Sequence, residues 1–81
     1  MNLEDRVAAI VETTLASSKE GSVYTFPIDH AKQFSLDLLD LIELEIALEE
    51  EFCFNITQEE SERHLKSVNS IAAFLRTKGF N

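Results

Sequence analysis

Phe34-Ser35-Leu36-Asp37-Leu38-Leu39-Asp40-Leu41-Ile42-Glu43-Leu44-Glu45-Ile46-Ala47-Leu48-Glu49-Glu50-Glu51-Phe52 is the stretch that decides the fold. Its spacing predicts a helix from Asp37 to Phe52. Leu41, Leu44 or Glu45, Leu48 and Phe52 form a helical stripe, with Ile42 and Ile46 beside it. Asp37 is a good N-cap, and Asp40 three residues on gives a shortened capping box. Towards the C-terminus, Thr57-Gln58-Glu59-Glu60 starts a short helix of one or two turns, capped by Thr57 with Glu60 at the third position. Ser67 caps a last helix carrying Val68, Ile71, Ala72 and Leu75, with Arg76 and Lys78 in its final turn and Gly79 stopping it.

Towards the N-terminus, Leu3, Val7, Ile10 and Thr14, flanked by Val11 and Leu15, mark a helix over Leu3–Leu15, with Glu4 and Asp5 in its first turn. Ser17, Ser18 and Gly21 end it. From Ser18 to Leu36 the pattern breaks. Val23 to Ile28 has strand-like composition but no partner strand, and an unpaired strand leaves its backbone unsatisfied. The stretch therefore reads as a long loop pinned to the core by Phe26, Ile28 and Phe34, and so long a loop is often functional. Only two glycines and one proline interrupt the chain, which favours helix. The expectation is an all-α bundle of three longer helices and one short one, in a single domain over residues 1–81.

Charge narrows the function. Seven Lys and Arg face fifteen Asp and Glu, a net charge of −8. Nucleic-acid binding needs a basic stripe, and anionic membranes attract the opposite sign, so both are set aside. Partners should be basic. Ten of the fifteen acids fall between Asp37 and Glu62 with no Lys or Arg among them. Like charges three and four apart on a helix repel. A face built only for solubility would interleave Lys. The sequence admits a solvated acidic face or a docking face for basic partners.

One cysteine, Cys53, allows no internal disulfide, and the opening residues do not read as a signal peptide. A cytoplasmic monomer is expected. Cys53 reads as a small semi-buried residue, His30 and His64 as structural histidines, and the six phenylalanines mostly as core. No nucleophile with a positioned base and oxyanion donors is legible, so no enzyme is expected.

The stretch from Phe34 to Phe52 resembles the acyl carrier proteins. Their signature, Leu-Gly-x-Asp-Ser-Leu-Asp opening the second helix and Leu-Glu-Glu-Glu-Phe closing it, is similar to Asp37-Leu38-Leu39-Asp40 and Leu48-Glu49-Glu50-Glu51-Phe52 here. The resemblance continues through Asn55, Ile56, Thr57, Glu59 and Glu60 into the helix from Ser67. It implies an acyl-carrier-like four-helix bundle, with a role in fatty-acid, lipid or polyketide-type biosynthesis. It also implies that the second helix meets basic surfaces of synthases, acyltransferases and reductases. It places Asp37, Leu38, Asp40, Glu43, Ile46, Glu49 and Glu50 on the partner-binding face.

In that alignment Leu38 stands where the family has the serine that carries 4'-phosphopantetheine, and Ser35 stands where it has glycine. A phosphodiester needs a hydroxyl, which Leu38 lacks, so no cofactor is expected there. Slipping the motif by three residues offers Ser35 instead, nearly one helical turn earlier, as the attachment residue of a working carrier. A leucine introduced in place of a carrier's serine would give the same sequence.

Overall fold

A computed structural model of the chain describes residues 2–16 and 28–81. It contains α1 (Leu3–Ala16), α2 (Leu38–Phe52), α3 (Gln58–His64) and α4 (Val68–Thr77), and no strand among the described residues. The four expected helices are present. The expected terminators Ser17, Ser18 and Gly21, the strand-like residues before Ile28, and Phe26 lie outside the described residues.

Each helix start is held by a side chain. Asn2 Oδ1 accepts from the Asp5 N–H at 2.8 Å, and Asp37 Oδ1 accepts from the Asp40 N–H at 2.8 Å. Both satisfy N–H groups that have no partner inside their own helix. Thr57 and Glu60 form a reciprocal capping box, as expected from their spacing. Ser67 caps α4 and closes a second box with Ser70, a partner the sequence reading did not single out. At the other end of α4, Lys78 is the C-cap and Gly79 follows at φ 96°, a conformation that disfavours side chains.

The buried stripes run in a slightly different phase from the expected ones. On α1 the core residues are Leu3, Val7, Ala8, Val11 and Leu15, while Ile10 and Thr14 are half-exposed. On α2, Leu44, Leu48 and Phe52 are buried as expected, but the residue continuing their line one turn earlier is Asp40, not Leu41, which is only half-buried. A strict four-residue step keeps one edge of the helix inward, and that edge passes through Asp40. From α4, which packs against α1, Val68, Ile71, Ala72 and Leu75 complete the core.

Ile28 is buried and donates its N–H to Glu12 Oε2 at 2.8 Å. Phe34 is half-buried against the core, and its N–H meets the Lys66 carbonyl at 2.6 Å. The His30 carbonyl accepts from the Asn69 N–H at 3.0 Å. Residues 28–37 thus form a strap stitched to the α3–α4 junction, with two of the three expected pins in place.

Phe52 and Phe74 are buried, while Phe54 and Phe80 pack partly buried between them. Phe80 meets Phe52 at 5.2 Å and Phe54 at 5.3 Å between ring centroids. His64 stacks on Phe74 at 4.6 Å. Cys53 departs from its expected semi-buried place. It ends α2 in the left-handed region at φ 55°, and that turn leaves its side chain exposed.

Candidate functional site

The outer face of α2 is the one part of the described structure where large apolar side chains face water. Leu38 is 67% exposed, Leu39 64%, Ile42 42% and Ile46 47%. Leu38, Ile42 and Ile46 follow one another at four-residue steps, and Leu39, Glu43, Ile46 and Glu50 form the adjoining line. The result is an apolar strip edged with carboxylates. Exposed apolar clusters rimmed by polar groups mark interaction surfaces.

Ion pairing sharpens the electrostatics of this face. Among the described residues, Arg76 pairs with Glu4 at 2.7 Å, Lys78 with Glu60 at 2.9 Å and Arg63 with Glu59 at 2.9 Å. Arg6 lies 3.8 Å from Glu51, the one α2 acid in such a pair among the described residues. Asp37, Glu43, Glu45 and Glu50 have no cation within salt-bridge distance among the described residues. The hydrogen bond from Arg76 holds the Glu4 carboxyl below its ordinary range, and Glu4 in turn raises Arg76. The Thr57 backbone N–H, and after it Lys78, lower Glu60. Among the described residues these pairs neutralise Glu4, Glu51, Glu59 and Glu60 and leave Glu43, Glu45 and Glu50 of α2 without a paired cation.

The seven residues expected on the partner-binding face divide in the structure. Asp37, Leu38, Glu43, Ile46 and Glu50 are exposed together. Asp40 is only 8% exposed and sits at the inner edge of the helix. Glu49 is half-buried, and its Oε2 accepts from the Ile56 N–H at 2.7 Å, which fastens the segment after α2. Leu39 and Ile42 complete the exposed strip, although the sequence reading set Ile42 beside the inward stripe and left Leu39 unassigned. The four-residue step from Leu38 to Ile42 to Ile46 was the signal for it.

Leu38 is the first residue of α2, directly after its cap Asp37. Free N–H groups and the positive end of the helix dipole favour an anion at such a position. The side chain there is alkyl and has no hydroxyl for a phosphodiester. Ser35, exposed and three residues ahead in the strap, is the nearest hydroxyl in sequence before the helix.

Comparison with curated proteins finds several acyl carrier proteins. The chain is 32% identical over 80 residues to the acyl carrier protein of Chlamydia trachomatis serovar D, covering 96% of this chain and 97% of the relative. It is 33% identical over 78 residues to that of serovar L2, covering 94% and 95%. Over 43 residues it is 46% identical to the acyl carrier protein of Bdellovibrio bacteriovorus, covering about half of each, 53% and 54%. No protein-family model matches the chain, and no solved structure does.

Proposed function

The chain belongs to the acyl carrier protein family, and from that premise we propose that it serves fatty-acid, lipid or polyketide-type biosynthesis by docking, without phosphopantetheine at position 38. It meets basic surfaces of carrier-dependent enzymes, such as synthases, acyltransferases and reductases, through Asp37, Leu38, Glu43, Ile46 and Glu50, with Leu39 and Ile42 beside them. Asp40 and Glu49 support that face from behind rather than touching the partner. The observation that carries this reading is Leu38 itself, an exposed alkyl group at the first position of α2 beside acids that no cation among the described residues neutralises. The residue does not fit the family's cofactor, because its side chain offers no oxygen to phosphorylate.

Docking of this kind is non-covalent and needs no reactive group, so the protein is a binding partner and not an enzyme. It acts as a decoy, a regulator or a subunit that occupies a carrier-recognising basic patch. Attraction between exposed charges is screened over roughly 8–10 Å at physiological salt, so binding weakens as salt rises. Among the described residues no helix is long and apolar enough to cross a membrane, and the setting proposed is a monomer in the cytoplasm.

A second reading rests on Ser35. It is exposed and carries the hydroxyl that Leu38 lacks, and it would make the protein a carrier with a displaced attachment residue. Intact mass before and after incubation with coenzyme A and a permissive phosphopantetheinyl transferase separates the two. No mass shift, with an ordinary carrier modified alongside, is expected. A shift of one phosphopantetheine mapped to the Ser35 peptide overturns the docking-only reading.

A further inference from the structure

Among the described residues the fold leaves two lysines, Lys32 and Lys66, without an acid. Arg6, Arg63, Arg76 and Lys78 each lie within salt-bridge distance of a glutamate, and neither of these lysines does. They are far apart in the sequence, and the strap brings them together. Its His30 carbonyl accepts from the Asn69 N–H at 3.0 Å, and its Phe34 N–H donates to the Lys66 carbonyl at 2.6 Å. Lys32 lies between these two bonds, so it is held beside the turn that carries Lys66. Both lysines are exposed. The acids of the strap are engaged by backbone: Asp29 accepts from the Ala31 N–H at 2.9 Å and Asp37 from the Asp40 N–H at 2.8 Å. A chain with fifteen acids had partners enough for both lysines.

This cationic pair sits at one end of the acidic face. From Phe34 to the cap Asp37 is no more than about 11 Å of extended chain, and Leu38 follows. Along α2, the acids from Glu43 to Glu50 span about 11 Å. So short a row of like charge can meet a basic surface in either direction. Opposite charge at one end alone removes that ambiguity, because complementary charges fix register and like charges brought together penalise the wrong one. We propose that Lys32 and Lys66 form a second contact with the partner enzyme, on carboxylates that flank its basic patch on the side meeting Leu38, and that this pair sets the direction in which α2 lies. The assignment rests on the docking reading and adds to it the orientation of the docked helix. An extended anionic surface, such as a nucleic acid or a membrane, would repel the rest of a chain of charge −8. A protein surface can carry both signs in the matching order.

The test measures binding of the intact chain to a carrier-dependent synthase at low salt by surface plasmon resonance. It compares the parent with Lys32→Glu, Lys66→Glu, the double reversal and the paired change Lys32→Gln with Lys66→Gln, and runs Glu43→Lys alongside. Overall charge and local contact differ here in sign. Attraction by overall charge alone would make the double reversal, with four more negative charges, bind a basic surface more tightly. The expected result is the opposite, binding at least about fivefold weaker, with the paired glutamines in between and the loss fading as salt rises. Every variant keeps the backbone bonds of the strap, so the circular dichroism spectrum and melting temperature of the parent are expected throughout. Binding by the double reversal as tight as the parent's, or tighter, overturns the assignment. A loss that is unchanged at high salt, or that appears only with a lowered melting temperature, overturns it too. Failure of the docking reading looks different. A synthase that ignores the parent, or binds Glu43→Lys equally well, removes docking and this assignment with it. Weakening by Glu43→Lys with none from the lysine reversals keeps docking and removes only the orientation.

Discussion

At the α3–α4 corner, Phe54, Phe74 and Phe80 lie ring against ring, His64 covers Phe74, and Lys78 holds Glu60 at 2.9 Å. On the outer face of α2, Leu38, Leu39, Ile42 and Ile46 meet water, and Glu43 and Glu50 have no neighbouring cation among the described residues. The two regions draw on the same residue classes and use them in opposite ways. The corner satisfies its apolar and charged groups internally, which fixes where α3 and α4 sit. The face of α2 leaves both kinds unsatisfied, a cost to the isolated protein that a complementary surface would remove.

Core deletion should break this contrast most strongly from the stability side. Ile71→Ala removes a fully buried side chain and is expected to lower unfolding free energy by about 2–5 kcal/mol in chemical denaturation. Leu39→Ser, made on the exposed face, should stay within about 0.5 kcal/mol of the parent. Comparable losses from both would mean that the face is part of the core.

Charge reversal tests the other side. Glu43→Lys is expected to leave the melting temperature nearly unchanged while weakening binding to a carrier-dependent enzyme at least about tenfold at low salt, about 1.4 kcal/mol. Surface plasmon resonance across a salt series would read it. Equal binding by parent and variant would remove α2 from the interface.

A smaller effect belongs to the corner's caps. Ser67→Ala breaks the capping box of α4 and should cost about 1 kcal/mol, visible as a lower denaturation midpoint.

The smallest effect is one of pH. Glu60 and Glu4 have folded carboxyl pKa values below their ordinary ones, the first chiefly through the Thr57 N–H and the second through Arg76. A depressed carboxylate stabilises the fold above its ordinary pKa, about 4.3, and the gain disappears as pH falls through the lower folded value. Glu60→Gln should therefore melt below the parent at neutral pH and converge with it on acidification. A difference between the two that persists at low pH would point to lost packing rather than lost charge.

Helices and their starts were largely legible because they are written locally. Asp37, Thr57 and Ser67 announce their helices within four residues. Phase was harder. A one-residue difference in which edge of a helix faces inward separates Asp40 from Leu41 and Val11 from Ile10. Periodicity with flanking apolar residues on both sides does not resolve it, since packing partners do. The exposure of Leu39 and Ile42 was hidden for the same reason, since an apolar residue on a helix reads as core until its neighbours are known. Cys53 was misplaced because its exposure depends on a left-handed backbone turn, which composition does not encode. The acidic face could be read from charge alone, but its division into free and internally bonded acids could not, because Glu49 reaches Ile56 across the end of the helix.

The strap over residues 28–37 bears on which changes in length the fold can accept. Its Phe34 N–H is fixed to the Lys66 carbonyl, and Asp37 is fixed to the first turn of α2. Between those two anchors the chain has almost no slack. Inserting or deleting a residue there would either detach the strap or rotate α2 by about 100°, taking Leu38 and Glu43 off the outer face together. Substitutions that keep the length of this segment leave both anchors in place. In this part of the molecule the geometry depends more on the number of residues than on their identity.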